Sequence, residues 1–237
     1  MGIYTNAVQK LYVAYFSRPA DPAGLQYWES VVAANAGSTT AVSAAFSQSA
    51  EYTAAYAGMN STQIVNQVYT NLFGRAAEPS GLLYWALLLD QKAISISNVV
   101  TQIAAGAQGT DLVAYTSKVS AATSFTAAVD TNLEIVGYSG TPSLTLAKAF
   151  IAGVTDAATL ATAIVPATLD ATVLAVTSAA AGQTFALTTG IDSIVGTAGN
   201  DTISSLTAGV LTALDNIDGG AGNDTMSLTS ISAIAIP

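Results

Sequence analysis

The sequence predicts a mainly α-helical N-terminal domain built on a duplicated helix–turn–helix, followed by the start of a β-rich region. Three observations carry that prediction. Apolar residues recur at helical spacing up to about Ser178; an eleven-residue string that opens on Arg and closes on Trp occurs twice; and from Gln183 the texture changes to alternation, Gly and Asn. The spacing places a boundary near residue 182, with a helical domain over 1–182 and a β-rich one over 183–237.

The helices can be read in order. Val8, Leu11, Tyr12, Tyr15 and Phe16 make one apolar stripe. Asp21-Pro22 then reads as an N-cap with Pro in the first turn, continued by Leu25, Tyr27, Trp28, Val31 and Val32 and stopped at Gly37. A third helix is predicted over Thr39–Gln48, followed by a turn at "SAEY"; Asn60 or Ser61 caps the next, which runs to Gly74. Further helices are expected at 95–107, 116–136, 143–152, 157–164 and 167–180. The uncharged stretch 171–191 has Thr, Ser, Gln and Gly in its middle, which reads as a buried helix and a strand rather than a membrane span.

The duplicated string is "RPADPAGLQYW" at 18–28 and "RAAEPSGLLYW" at 75–85. Tyr12, Phe16, Arg18, Pro22, Gly24, Leu25, Tyr27 and Trp28 recur 57 residues later as Tyr69, Phe73, Arg75, Pro79, Gly81, Leu82, Tyr84 and Trp85. A fixed offset over uncommon residues is an internal repeat, with copies near 3–58 and 60–107. The physics of the string is that of a fastener. Asp21 or Glu78 puts a carboxylate at a helix N-terminus, Pro fits the first turn, and Arg can pair with the carboxylate three residues on. The same residue types also suit a sugar: Arg holds anionic groups bidentately, and Tyr or Trp stacks on a sugar face.

These residues resemble a short helical repeat of unknown function found in bacterial secreted and surface-layer proteins. The match also resembles the motif of phycobilisome linker domains. It covers roughly 3–107, and the second copy departs from the first, with "AAGAQG" where "SQSAEY" is expected.

Composition narrows the function. Only 9% of residues are charged, against about 25% in ordinary domains, while 51% are apolar. The net charge of −9 and six basic residues argue against a nucleic-acid partner, although a weakly basic pocket for a few anionic groups is compatible with them. Neither Cys nor His is present, which removes disulfides, Cys- or His-dependent catalysis and most zinc or iron chemistry. "MGIYTNAVQK" has neither a basic nor an apolar leader pattern, so no N-terminal secretory signal is expected.

Near the C-terminus stand "DSIVGTAGNDTI" and "DNIDGGAGNDTM". Asp192 and Asp201 are nine apart, as are Asp215 and Asp224, and Ile194–Ile203 and Ile217–Met226 keep the same spacing. Glycines let such turns close and expose carbonyls, and Asp supplies the hard oxygens that calcium prefers. The pattern resembles the RTX calcium-binding nonapeptide. The expected calcium ligands are Asp192, Asp201, Asp215, Asp218 and Asp224, with carbonyls near Gly196, Gly199, Gly219 and Gly222. Only two imperfect turns, separated by "SSLTAGVLTA", predict no long roll, and the abrupt "AIAIP" suggests a truncated β-rich domain.

Helical repeats, then acidic calcium turns, joined by "LTTGIDSIVGTAGNDTI", are similar to Gram-negative RTX-type surface-layer proteins. That resemblance implies a secreted, non-enzymatic structural protein exported by type I secretion. Its helical domain would hold lipopolysaccharide O-polysaccharide, peripheral to the outer membrane, and its calcium repeats would join copies of the chain into a lattice. The expected glycan contacts are Arg18, Tyr27, Trp28, Arg75, Tyr84 and Trp85. Two alternatives stay open: a secreted RTX hydrolase with a helical accessory domain, and a pure protein–protein linker.

Overall fold

The computed structural model describes residues 2–179, 181–196, 199–220 and 224–229. Packing divides the chain into two compact units, one of residues 1–131 with 147–173 and the other of 132–146 with 174–237.

The first unit is α-helical. It opens with α1 (Thr5–Phe16), α2 (Pro22–Ala34), α3 (Thr40–Ser47) and α4 (Ala50–Ala55). The second copy follows with α5 (Ser61–Phe73), α6 (Pro79–Asp90) and α7 (Ile96–Ala105), and α8 (Gly109–Ala128) closes that half. The apolar stripe of α1 is buried, with Val8, Val13 and Tyr15 at 2% exposure or less, as is that of α5 through Val65, Val68 and Leu72. Phe46 of α3 is a hub, with Tyr12, Phe16 and Trp28 all within 5.1 Å of its ring centre.

Local signals set most helix ends. The Asp21 carboxylate accepts the Gly24 N–H at 2.7 Å, and Asn60 with Gln63 forms a reciprocal capping box. Asp156 caps the short α11 (Ala157–Ala163), accepting the Thr159 N–H at 2.8 Å.

Two elements differ from expectation. The predicted turn at "SAEY" opens α4, because the Ser49 hydroxyl caps the Tyr52 N–H at 3.2 Å. The helix expected over 116–136 instead starts at Gly109, with Asp111 in its first turn, and breaks after Ala128. Asp130, Thr131 and Asn132 stand at the break, and their short polar side chains compete with helical bonding. A separate α9 (Asn132–Gly137) follows, then α10 (Gly140–Ala152), α11 and α12 (Pro166–Ser178).

The second unit holds the strands. β1 (Ala181–Ala186), β3 (Asn200–Ser204) and β5 (Thr225–Ser227) form one parallel sheet, and β2 (Ser193–Val195) and β4 (Asn216–Asp218) another. Successive strands therefore alternate between two sheets, which is a coil. Thr184 pairs with Thr202, a rise of 18 residues, whereas Ile203 pairs with Met226 and Ile194 with Ile217, a rise of 23. Each nine-residue repeat contributes one strand, and two make a turn of the coil. "SSLTAGVLTA" lengthens one coil by five residues without shifting the pairing, and its Val210 is buried with Leu187, Ile194 and Ile203.

Candidate functional site

Both copies of the helical repeat are closed by the same devices. The Tyr12 hydroxyl sits against Gly24 and interacts with Trp28; Tyr69 does the same with Gly81 and Trp85. A Cβ at Gly24 would collide with that hydroxyl and with the Asp21 carboxylate, and one at Gly81 with Glu78 and the Tyr69 hydroxyl. The Gln9 side-chain oxygen accepts the Ala20 N–H at 3.1 Å, and Asn66 accepts the Ala77 N–H at 3.1 Å. These amides also lie 57 residues apart, a spacing visible in the sequence once the offset is known.

Each arginine ends on a distant carboxylate. Arg18 donates from Nε and Nη2 to Glu51, with Nη2–Oε2 at 3.0 Å, and its guanidinium lies over the rings of Tyr12 and Phe16. Asp21 is 4.0 Å away, at the limit of an ion pair. Arg75 donates to Asp111 at 2.8 and 2.6 Å and to Glu78 at 2.9 Å. Asp111 thus takes the part in the second copy that Glu51 takes in the first. Glu78 stands at an N-cap but makes no side-chain cap bond; its carboxylate turns to Arg75.

Of the six expected glycan contacts, Arg18 is buried and held by Glu51, and Arg75 is partly exposed and held by Asp111 and Glu78. Trp28 and Trp85 are half-buried against the core. Tyr27 and Tyr84 are 59% and 58% exposed, each set edge-on to its neighbouring Trp with ring centres 4.7 and 5.0 Å apart. The duplication therefore presents one exposed Tyr–Trp pair per copy.

In the strand unit the aspartates form two ladders. Asp215 Oδ1 accepts the Asp192 N–H at 2.8 Å and its Oδ2 the Thr212 N–H at 2.7 Å. These bonds hold the Asp215 carboxyl below the usual carboxylate range. Asp192 in turn accepts the Thr188 N–H and hydroxyl, both at 2.9 Å. In the other ladder Asp224 Oδ1 accepts the Asp201 N–H at 2.9 Å, and Asp201 Oδ1 accepts the Gln183 N–H. Asp218 is exposed and accepts its own loop's Gly220 N–H at 2.9 Å. The Asp192–Asp215, Asp201–Asp224 and Gln183–Asp201 bonds each tie one coil to the next, while those to Thr188, Thr212 and Gly220 stay within a coil.

Two family models match the chain. A domain of unknown function, DUF4214, matches residues 5–56 and 44–108, and the RTX calcium-binding nonapeptide repeat matches 188–205 and 214–228. The chain carries a DUF4214 domain followed by RTX repeats. No curated protein and no solved structure matches it.

RTX repeats bind calcium, so the RTX turns can be tested for fit. Asp201 Oδ2 and the Gly219 carbonyl, from neighbouring coils, both crowd the space that a Cβ on Gly196 would fill, and Asp224 does the same at Gly219. Carboxylate and carbonyl oxygens converging at a glycine turn are donors of the kind calcium takes. Among the described residues no three acidic side chains gather into one cluster. Asp192 and Asp215 lie on the other ladder from Asp201 and Asp224, so the five expected aspartates do not form a single set. Gly199 is buried beside β3, and Gly222 lies outside the described residues.

RTX repeats are typical of secreted proteins. Among the described residues no single helix is long and apolar enough to cross a membrane; α11 and α12 pass such a test only as a pair bent by 73°.

Proposed function

We propose that this chain is a non-enzymatic surface-layer protein. Its helical domain, over 1–182, anchors to lipopolysaccharide O-polysaccharide, and its RTX region, from 183, joins copies of the chain into a calcium-dependent lattice. The observation that carries the reading is the combination itself: a duplicated DUF4214 unit and RTX coils in one acidic chain without His or Cys.

Tyr27–Trp28 and Tyr84–Trp85 serve as the glycan platforms. Each offers an exposed phenol beside an indole, the amphipathic surface a sugar face takes. Arg18 and Arg75 support those platforms by holding the hairpins closed. In the RTX region Asp201, Asp224 and the Gly219 carbonyl hold calcium, and the ion draws adjacent coils together. Export by type I secretion places the protein on the outer face of the cell.

The test is retention of the chain on smooth lipopolysaccharide and on lipopolysaccharide lacking O-chains, in calcium and in chelator. Retention on the smooth form alone supports anchoring. Equal retention on both, or on neither, overturns it, and release of free sugars would move the reading to the hydrolase.

One observation favours a linker reading as well. Leu83, Tyr84 and Leu87 of α6 are 67%, 58% and 54% exposed, whereas the first copy carries Gln26 and Ser30 in place of those leucines. An apolar face confined to the second copy suits a protein partner.

A further inference from the structure

A cavity of about 330 Å³ opens within the helical unit, between α1, α4, α5, α8 and α10. Its size is that of a small-molecule site. Three features of its wall are unusual for this chain.

The first is charge. Six basic residues serve all 237 positions, yet three of them meet here. Lys118 and Lys148 line the cavity, and Arg18 stands behind Glu51, which also lines it. Glu51 is shared by Arg18 and Lys148, the latter at 2.9 Å. One carboxylate is thus shared by two cations while Lys118 stands apart from it, with Asp21 beyond at 4.0 Å from Arg18. The wall keeps an excess of positive charge in a chain whose net charge is −9.

The second is Lys118. It is 1% exposed, and its Nζ donates to the Ile151 carbonyl at 3.1 Å. Among the described residues it has no carboxylate partner. A buried ammonium without a counter-charge is costly, and folded chains rarely keep one without use. Burial holds it at about 8, so the charged form gains from any anion brought beside it.

The third is Ser17. It takes the left-handed conformation, φ 55°, at the end of α1. The second copy has Gly74 at the corresponding place, φ 73°. Glycine is the unstrained choice for this turn, and serine is not. The Ser17 hydroxyl is buried at the cavity and makes no hydrogen bond among the described residues. In the second copy a Cβ on Gly74 would run into Thr155, so the same space is filled there. Only the first copy has the hydroxyl and the hollow.

We propose that this cavity binds a small anionic, hydroxyl-bearing ligand, with Lys118 and Lys148 meeting its acidic group and Ser17 donating a hydrogen bond. Asn71 and Gln67, bonded to each other at 2.8 Å, supply polar wall for its hydroxyls. The acidic group is a carboxylate, as on a uronic acid sugar, or a phosphate; the same donors serve both. The site is separate from the Tyr–Trp platforms and does not depend on lipopolysaccharide anchoring.

Calorimetric titration of the full chain with galacturonate, inorganic phosphate and glucose tests it. Binding of galacturonate with no response to phosphate identifies the carboxylate; binding of phosphate identifies the phosphate; weak or no binding of glucose is expected in either case. Lys118→Met and Ser17→Gly remove a buried charge and a strained turn, so both variants are expected to fold. Each should bind the responding anion at least tenfold more weakly. Absence of binding by both anions, or unchanged affinity in both folded variants, overturns the proposal. Loss of lipopolysaccharide retention alone, with anion binding intact, would remove the anchoring reading and leave this one standing.

Discussion

Arg75 holds Asp111 through two parallel bonds, Nε–Oδ1 at 2.8 Å and Nη2–Oδ2 at 2.6 Å, across 36 residues of chain. Arg18 holds Glu51 in the same way across 33. The two copies thus close on carboxylates at different places, Glu51 inside the first copy in α4 and Asp111 just past the second in α8. The chemistry of the clamp is kept although the residue that completes it has moved.

The environments of the clamps differ, and so should their contributions. The Arg18 side chain is 11% exposed and its loss leaves the mostly buried Glu51 with Lys148 alone. Arg18→Ala should destabilise by about 3 kcal/mol, as expected when one partner of a buried pair is removed. The Arg75 side chain is 41% exposed, so Arg75→Ala should cost about 1 kcal/mol or less. Urea midpoints of the two variants check the ranking; equal losses would contradict it.

Gly24 should not tolerate a methyl group. Its Cβ position is taken by the Tyr12 hydroxyl and the Asp21 carboxylate, so Gly24→Ala should cost about 1–3 kcal/mol by overpacking. Deleting the hydroxyl frees part of that space. The double variant Gly24→Ala with Tyr12→Phe should therefore be less destabilised than the two single losses added together. Thermal melts of the three variants complete the cycle, and simple additivity would show that the hydroxyl is not the obstacle.

Much of this architecture can be read from residues close in sequence. Asp21-Pro22 marks the start of α2, Asn60 with Gln63 the start of α5, and the offset of 57 the duplication. What could not be read depends on distant partners. Nothing near Arg18 points to Glu51, and nothing near Gln9 points to the Ala20 N–H that it accepts. The coil shows the same division. Nine-residue spacing indicated the turns, but parallel pairing of Ile203 with Met226 requires one coil to take up the five extra residues that "SSLTAGVLTA" brings. In the sequence those residues interrupt the pattern; in the fold Val210 fills the core beneath it. The anion cavity was least legible, since its lysines come from α8 and α10 and its serine from the end of α1.

Stability should change with pH in two opposite steps on the alkaline side. Burial holds Lys118 at about 8 in the fold, against about 10.4 in an unfolded chain. Between those values the unfolded chain binds more protons, so stability rises with pH. Above about 10 the order reverses. Burial keeps Tyr12, Tyr52 and Tyr115 protonated well above the ordinary phenol range and pushes Tyr56 up to about 12, so the unfolded chain loses those protons first. On the acid side, burial opposes ionisation of Glu51, but Arg18 and Lys148 prevail and hold its carboxyl below the usual range. That contribution is present above the ordinary carboxylate value and is lost as pH falls through the lowered one. Urea midpoints should therefore be higher at about pH 9.5 than at about pH 7, and Lys118→Met should raise the pH 7 value and flatten the rise. A wild-type midpoint that falls steadily above neutrality would contradict the assignment.

Calcium should stabilise the strand unit through Asp201. That carboxylate is 1% exposed and has two tasks. Its Oδ1 accepts the Gln183 N–H, a step of the ladder that needs only an oxygen, while its Oδ2 crowds the turn at Gly196 beside the Gly219 carbonyl. Asn keeps an oxygen for the first task but lacks the charge for the second. Asp201→Asn should then leave the metal-free unit folded and remove most of its response to calcium. For the wild type, calcium at a hundredfold its dissociation constant should add about 2.7 kcal/mol, and the variant should gain little. Asp215→Asn sits on the other ladder, where its carboxylate accepts the Asp192 and Thr212 N–H groups, and should keep the calcium response. Melting curves of the three proteins in calcium and in chelator separate the ladders. If Asp215→Asn loses the response and Asp201→Asn keeps it, the ion belongs to the ladder of Asp192 and Asp215 instead.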